Sequence, residues 1–439
     1  MAGKKLKFRQ LLGNLRGALE GLPEHRKGSN TQYTLVDAGL AAFAVFFMQS
    51  PSFLARQRDM ERKRGKNNAR SLFGMRRIPS DPQTRNLLDP VETEPFGAVF
   101  WKTRDLLKRG GQLAAHTGVG GTELIALDGT QHLSSQKIHC ENCRVTVRDE
   151  RAYYSHQVLL AVLCAPGQPH VVCLEPEFIT PQDGHEKQDC EQQAIKRWVQ
   201  RHAARFEPWR ATVLTDDLHA HQPTCELLGA HKLHFILTCK VDSHKALYEE
   251  LELLEKVAGA VSIREVRKWN GRHYELWRYR WAERLPLRAT TDTLYANWCE
   301  LTISHADSGA QLYHCAWITD HVVNADTVVE VVASGRSRWK VENESINVLK
   351  QQGYNFEHNF GHGQQHLATV LLTLLLLAFL FHTALDLSCL LYQAVRRELG
   401  RRKTFFNDLR ALTRYIYFDG WDQLLRFMYQ QLEIEPVPG

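Results

Sequence analysis

The sequence predicts an α/β protein with helical regions at both ends, and three observations predict it. Residues 1–110 carry helical periodicity and basic charge. From residue 123 short apolar runs alternate with amphipathic stretches. Residues 241–333 then return to strand-like pieces before a last helical portion. At 439 residues the chain is long enough for two or three domains and a sizeable buried core.

In the first region, LVDAGLAAFAVFFM (35–48) repeats at helical period and breaks at Ser50-Pro51. Ser80-Asp81-Pro82 reads as a helix start, with Ser80 or Asp81 as cap and Pro82 in the first turn. The glycine-rich segment 111–122 reads as a linker or turn. Next come ELIALDG (123–129), a short apolar run ending on an acid, and YYSHQVLLAVLCAP (153–166), a longer β-rich run. HVVCLEPEFI (170–179) reads as a third strand and QDCEQQAIKRWVQRHAARF (188–206) as an amphipathic helix. ATVLTDD (211–217) is a strand ending on two acids; a helix near 225–231 and a strand LHFILTCK (233–240) follow. The order β-β-β-α-β-α-β, with acids closing the first and fourth strands, is that of a ribonuclease-H-like core. Its first three strands run antiparallel, and later ones pair in parallel through helices.

The expected organisation is therefore a helical basic region (1–110), a first part of the core (120–240) and a mostly β insertion (241–333). A second part of the core (334–395) and a basic helical C-terminal region (396–439) complete it. The apolar stretch Leu367 to Phe381 is short of the roughly 20 residues that cross a bilayer, and reads as a helix buried within the core, with no membrane partner expected.

Net charge is +6 and unevenly spread, with basic clusters at KKLKFR near the start, at 56–77 and at 396–403. A polyanion such as DNA accounts for all three, because neutralised phosphates release counterions. The ten cysteines lack the spacing of a disulfide framework, which excludes a small secreted scaffold and makes a reducing cytoplasm the expected compartment. No secretory h-region follows the basic start.

Phosphoryl transfer assisted by two metal ions needs carboxylates converging from separate elements, and hard oxygen ligands suit Mg²⁺. Asp128 closes the first strand and Asp216 the fourth, which lies beside the first in this topology; Asp217 is the alternative second acid. In SRWKVENESINVLKQQGY (337–354), Arg338, Glu342, Ile346 and Leu349 share a narrow arc at helical period, so Glu342 is the expected third acid. Arg338, one turn before it, can clamp a phosphate.

These blocks, ALDGT at 126, VLTDDLHAHQP, and RWKVENESINVLKQQGYNFEH (338–358), resemble bacterial insertion-sequence DDE transposases, in the subgroup with a β-rich insertion and an Arg-x3-Glu catalytic helix. The family carries a tyrosine where Gly335 stands, and Lys350 lies one residue beyond the usual lysine position. The resemblance implies Asp128, Asp216 and Glu342 as catalytic residues holding two Mg²⁺ or Mn²⁺ ions. It also implies contacts from Arg338 and Lys350 to DNA, cleavage at terminal inverted repeats, strand transfer into target DNA, and a homodimer or larger assembly on paired ends. A structure-specific nuclease without strand transfer and an inactive DNA-binding derivative share most of these features.

Other constellations are weaker. Tryptophans 269, 277, 281, 298 and 317 interleave with arginines in the insertion, where stacking on an unpaired base competes with core packing; Trp298 and Trp281 are the stacking candidates. Cys140 and Cys143 form a Cys-x2-Cys pair whose second half is not evident, although Cys164, Cys173, Cys190 or His156 could converge on it, so structural zinc is not expected. His358, His362 and His366 are spaced by four, which on a helix would line one face and could bind metal, but Gly361 and Gly363 interrupt them and a turn between helices is expected. Asp189 and Glu191 suit the first turn of a helix, with a supporting role beside the metal ligands as the alternative.

Overall fold

The structure is a computed structural model that describes residues 6–27, 32–180 and 190–435. Lys4, Lys5, Asp189 and the last residues from 436 lie outside the described residues. The first region forms six helices: α1 (Phe8–Glu20), α2 (Leu35–Phe47), α3 (Phe53–Glu61), α4 (Lys63–Phe73), α5 (Asp81–Leu88) and α6 (Glu94–Arg109). Local signals set their ends. Ser52 accepts from the Ala55 amide at 3.1 Å to start α3, and Ser80 caps α5 with Pro82 in its first turn.

The centre is one mixed sheet. Its strands are β1 (Glu123–Ser135), β2 (Arg144–Arg148), β3 (Arg151–Cys164), β4 (Val172–Cys173), β5 (Glu177–Ile179), β6 (Ala211–Thr215) and β7 (His234–Thr238). Four more follow: β8 (Ser262–Trp269), β9 (Tyr274–Pro286), β10 (Tyr295–His305) and β11 (Gln311–Thr319). Along the sheet the order is β2-β3-β1-β6-β7-β11-β10-β9-β8, with β4 and β5 also on β3. β3 is antiparallel to β1, while β6 and β7 add in parallel, so the acid-bearing strands β1 and β6 are neighbours, as expected.

Four features differ from the sequence expectation. The first strand does not stop at Asp128 but runs on to Ser135, because its distal half stays paired with β3. The third strand is two short pieces, β4 and β5, with Pro176 between them; proline cannot donate to a ladder. An additional strand, β2, pairs with the start of β3. The β-rich segment is continuous with the central sheet, because β11 pairs antiparallel with β7 (Trp317 opposite Thr238, Ile318 opposite Leu237).

Helices α7 (Glu191–His202), α8 (Gln222–Ala230) and α9 (Lys245–Glu255) connect the strands. The segment expected as one helix from about residue 337 begins earlier and changes winding. It runs as α10 (Val328–Arg336), a 3₁₀ turn (Ser337–Trp339), a π-helical stretch (Val341–Ile346) and α11 (Asn347–Gln351). Such π segments inside helices recur at functional sites.

Helix α12 (Leu367–Ser388) has 22 residues, longer than the apolar run suggests and enough by length and composition for a span. Its apolar window is wholly buried inside the protein, packed on α2 and α6. The polar groups it buries are satisfied: His382 hydrogen-bonds the Phe47 carbonyl through Nε2 at 3.0 Å and the Tyr354 hydroxyl through Nδ1 at 2.6 Å. Burial holds this imidazole neutral.

The last helices, α13 (Leu390–Leu399), α14 (Arg402–Tyr415) and α15 (Trp421–Gln431), close back onto the first region. Asn68 donates to the Thr413 and Ile416 carbonyls, and Trp421 Nε1 to that of Leu72. The two ends of the chain thus form one helical layer around α12.

Candidate active site

The parallel pairing of β1 and β6 builds the site. Ala126 is opposite Leu214, so two residues further along, Asp128 is level with Asp216, just past the carboxyl end of β6 and where its pairing with β1 stops. Ligands in α/β sheets gather at that end of the parallel strands. Asp217 comes one residue later, in a 3₁₀ turn, and its carboxylate is already used. It accepts from the Lys240 amide at 2.7 Å and from the Ser243 hydroxyl, with His244 Nε2 at 3.4 Å. Asp217 therefore anchors the loop after β7. Asp216 instead keeps one buried carboxylate oxygen without a hydrogen-bond partner, its nearest base being His219 at 3.7 Å. Of the two acids the sequence left open, Asp216 is the one free to bind a cation.

Glu342 approaches from the π-helical stretch, which packs on β1 and β3. Its carboxylate receives a hydrogen bond from Arg338 at 2.9 Å, so the Arg-x3-Glu pair meets although the backbone is not regular α-helix. One terminal nitrogen of Arg338 has no partner. A further acid, Glu191 at the start of α7, completes the group. It accepts from the Gly129 amide and from His219, both at 3.0 Å. A Cβ at Gly129 would come within 2.3 Å of the Glu191 carboxylate, so only glycine allows this approach. Burial raises the Glu191 carboxyl, but the His219 hydrogen bond and charge and the Gly129 amide outweigh it and hold it below its ordinary value.

The electrostatic result is concentrated on Asp128. Burial, then the negative charge of Glu342, push its carboxyl up to about 7; Arg338 opposes this, while Glu191 and Asp216 add to it. Partly buried negative charge in excess of positive charge, together with an orphaned Asp216 oxygen, fits a divalent cation. The oxygens of these acids do not all fall within 4.8 Å of one another, unlike two other groups among the described residues.

The other candidate residues separate. Lys350 is paired with Glu357 at 2.8 Å in a half-exposed ion pair. Trp298 is fully buried beneath Tyr248 and the Arg280 guanidinium, so its indole is a core group that cannot stack on DNA. Trp281 is also buried. The exposed indoles are Trp209, Trp269 and Trp339, the last adjoining Arg338. Gly335 packs under the sheet, where a Cβ would meet Trp317 and Ile236 at 2.9 and 3.0 Å, leaving no room for the family's tyrosine.

In the 56–77 cluster, Arg56 is buried over Phe73, and burial lowers it to about 10. Arg62, Lys63, Arg64, Lys66 and Arg70 of the same cluster are exposed. In the 396–403 cluster, Arg402 turns inward to the Tyr354 hydroxyl at 3.0 Å, whereas Arg397, Arg401 and Lys403 face solvent.

From the sequence Glu191 reads as a helix-start acid, with a supporting role beside the metal ligands as the alternative. Its pairing with His219 depends on how α7 returns to β1 beside Asp128, which no local pattern encodes. No protein-family model and no curated protein matches the chain.

Proposed function

We propose that the chain is a DDE-type DNA transposase, which cuts phosphodiester bonds at transposon ends and joins them to target DNA. The observation that carries this reading is the gathering of Asp128, Asp216 and Glu342 where the parallel pairing of β1 and β6 ends, with charge left uncompensated. The strand order supports a ribonuclease-H-like core: β4 and β5, β3 and β1 antiparallel, then β6 and β7 parallel to β1.

Asp128, Asp216 and Glu342 would hold two Mg²⁺ or Mn²⁺ ions, which when bound activate the attacking oxygen and neutralise charge at the phosphate. The protein's own groups do the positioning. Arg338 spends one terminal nitrogen on Glu342 and keeps another for a phosphate oxygen. Glu191, fixed by the Gly129 amide, holds His219 beside Asp216, at 3.7 Å from its carboxylate. The exposed cations of α4 and of residues 397–403 supply sequence-independent attraction for the duplex. Double-stranded DNA is the partner in this reading, and paired ends call for a dimer or larger assembly.

The test is incubation with DNA carrying the element's own ends in Mg²⁺ or Mn²⁺. Cleaved ends and joined products are expected, both abolished by Asp128→Asn, Asp216→Asn or Glu342→Gln while DNA binding persists. Variants that cut like the wild type would end the proposal, and cleavage without joining would make the chain a nuclease.

A further inference from the structure

We propose that Cys140, Cys143, His156 and His362 form a closed tetrahedral zinc site that ties β3 and the β1–β2 connection to the segment following the Glu342 helix. Cys140, Cys143 and His156 lie within one stretch of sequence and His362 more than 200 residues beyond it; they come from three places, the connection before β2, the body of β3, and the loop between α11 and α12. Their ligand atoms all lie within 4.8 Å of one another, and three of the four residues are buried.

The separations have the pattern that zinc imposes. The two sulfurs are 3.9 Å apart. His156 Nε2 lies 3.5 Å from Cys140 Sγ and 3.4 Å from Cys143 Sγ. His362 Nε2 is 3.3 Å from Cys143 Sγ, and the two imidazole nitrogens are 3.2 Å apart. Bond lengths of about 2.3 Å to sulfur and about 2.05 Å to nitrogen give tetrahedron edges of about 3.8 Å (S–S), about 3.5 Å (S–N) and about 3.3 Å (N–N). The longest, intermediate and shortest edges fall in that order here. A disulfide is excluded as the reason for the Cys pair, since its sulfurs would be about 2.05 Å apart.

Tautomer and surroundings agree. His362 Nδ1 lies 2.9 Å from the Gly363 carbonyl, to which it can only donate, so its Nε2 lone pair faces the cluster. A bulge in β1 between Gln131 and Leu133 brings His156 opposite Leu133. Asn142 Nδ2 donates to the Gln365 carbonyl at 2.9 Å across the same junction. With four protein ligands and no open position, the ion is structural: it joins β3 and the connection that follows the Asp128 strand to the chain between Glu342 and the buried α12. The site stands whether or not the acid cluster is a transposase centre.

The experiment uses the full chain purified under reducing conditions, its metal content measured and its zinc then exchanged for Co²⁺. One zinc per chain is expected, with the intense visible bands and thiolate-to-cobalt charge transfer of a tetrahedral Cys₂His₂ site. Cys143→Ser and His362→Ala should lose the ion and melt at lower temperature, whereas Asp128→Asn should retain it. If those two variants do not fold, chelator-dependent melting and the cobalt spectrum of the wild type decide. Zinc-free protein that takes up Co²⁺ without a thiolate band overturns the site, and so does zinc that leaves with Asp128→Asn.

Discussion

Replacing Asp216 and Asp217 separately by Asn should split metal binding from stability, because adjacent acids of the same type do different work. The Asp217 side chain is 13% exposed and accepts from the Lys240 amide and the Ser243 hydroxyl, beside His244. Hydrogen bonds to a charged acceptor contribute about 1.5–3 kcal/mol each, and Asn keeps one carbonyl acceptor while losing the charge and the second. Asp217→Asn should therefore lower unfolding free energy by about 2–3 kcal/mol and leave Mn²⁺ binding by the folded fraction nearly intact.

The Asp216 side chain is 43% exposed, and its buried oxygen has no partner to lose. Asp216→Asn also removes one of the negative charges that raise Asp128. Its metal-free stability should equal or slightly exceed the wild type, while Mn²⁺ affinity and cleavage collapse. Urea unfolding without metal, Mn²⁺ titration, and cleavage normalised to folded protein measure both effects. The division of labour is refuted if Asp217→Asn unfolds like wild type but no longer binds Mn²⁺, or if Asp216→Asn binds it normally.

Further outcomes follow from the same structure. Because the folded-state Asp128 carboxyl is raised to about 7, the native protein holds a proton that the unfolded chain has released, so metal-free stability should fall as pH rises from the ordinary carboxylate range toward 7. Mn²⁺ must displace that proton, so its affinity should climb with pH up to about 7 and then level, as calorimetry in buffers of different ionisation enthalpy would show. Trp298→Ala should cost about 3–5 kcal/mol of stability without altering the DNA affinity of folded protein, whereas exposed Trp339→Ala should leave melting unchanged and weaken cleavage. Replacing Arg62, Lys63, Lys66 and Arg70 by Gln should weaken DNA binding and flatten its salt dependence by roughly one unit of slope for each phosphate that is no longer neutralised. Buried Arg56→Gln should instead lower stability.

Much of the arrangement was legible because local physics carried it. Strands β1, β3, β6 and β7 contain short apolar runs with turn residues near their ends, and the helices between them are amphipathic, so their order could be read directly. Asp128 and Asp216 stood out because each closes such a run. What the sequence hid depends on long-range pairing. The joining of β11 to β7, which makes the expected β-rich insertion part of the central sheet, is one such pairing. The local winding around Glu342 is set by packing against β1 and β3, and a uniform helical wheel cannot foresee it.

Trp298 misled for a related reason: interleaving with arginine looks the same whether the indole faces DNA or the core, and only the burial of β10 distinguishes them. His362 offered a faint signal, a histidine set between glycines in a polar loop. Its meeting with Cys143 across nearly half the chain was not deducible.

Whether Asp128, Asp216 and Glu342 grip divalent metal can be seen by anomalous diffraction from crystals soaked in Mn²⁺. Manganese peaks are expected in contact with Asp128 and shared with Asp216 and Glu342, with none on Asp217. Peaks elsewhere, or an acid cluster that stays empty at saturating Mn²⁺ with Arg338 still bound to Glu342, would contradict a metal-dependent centre at these three residues.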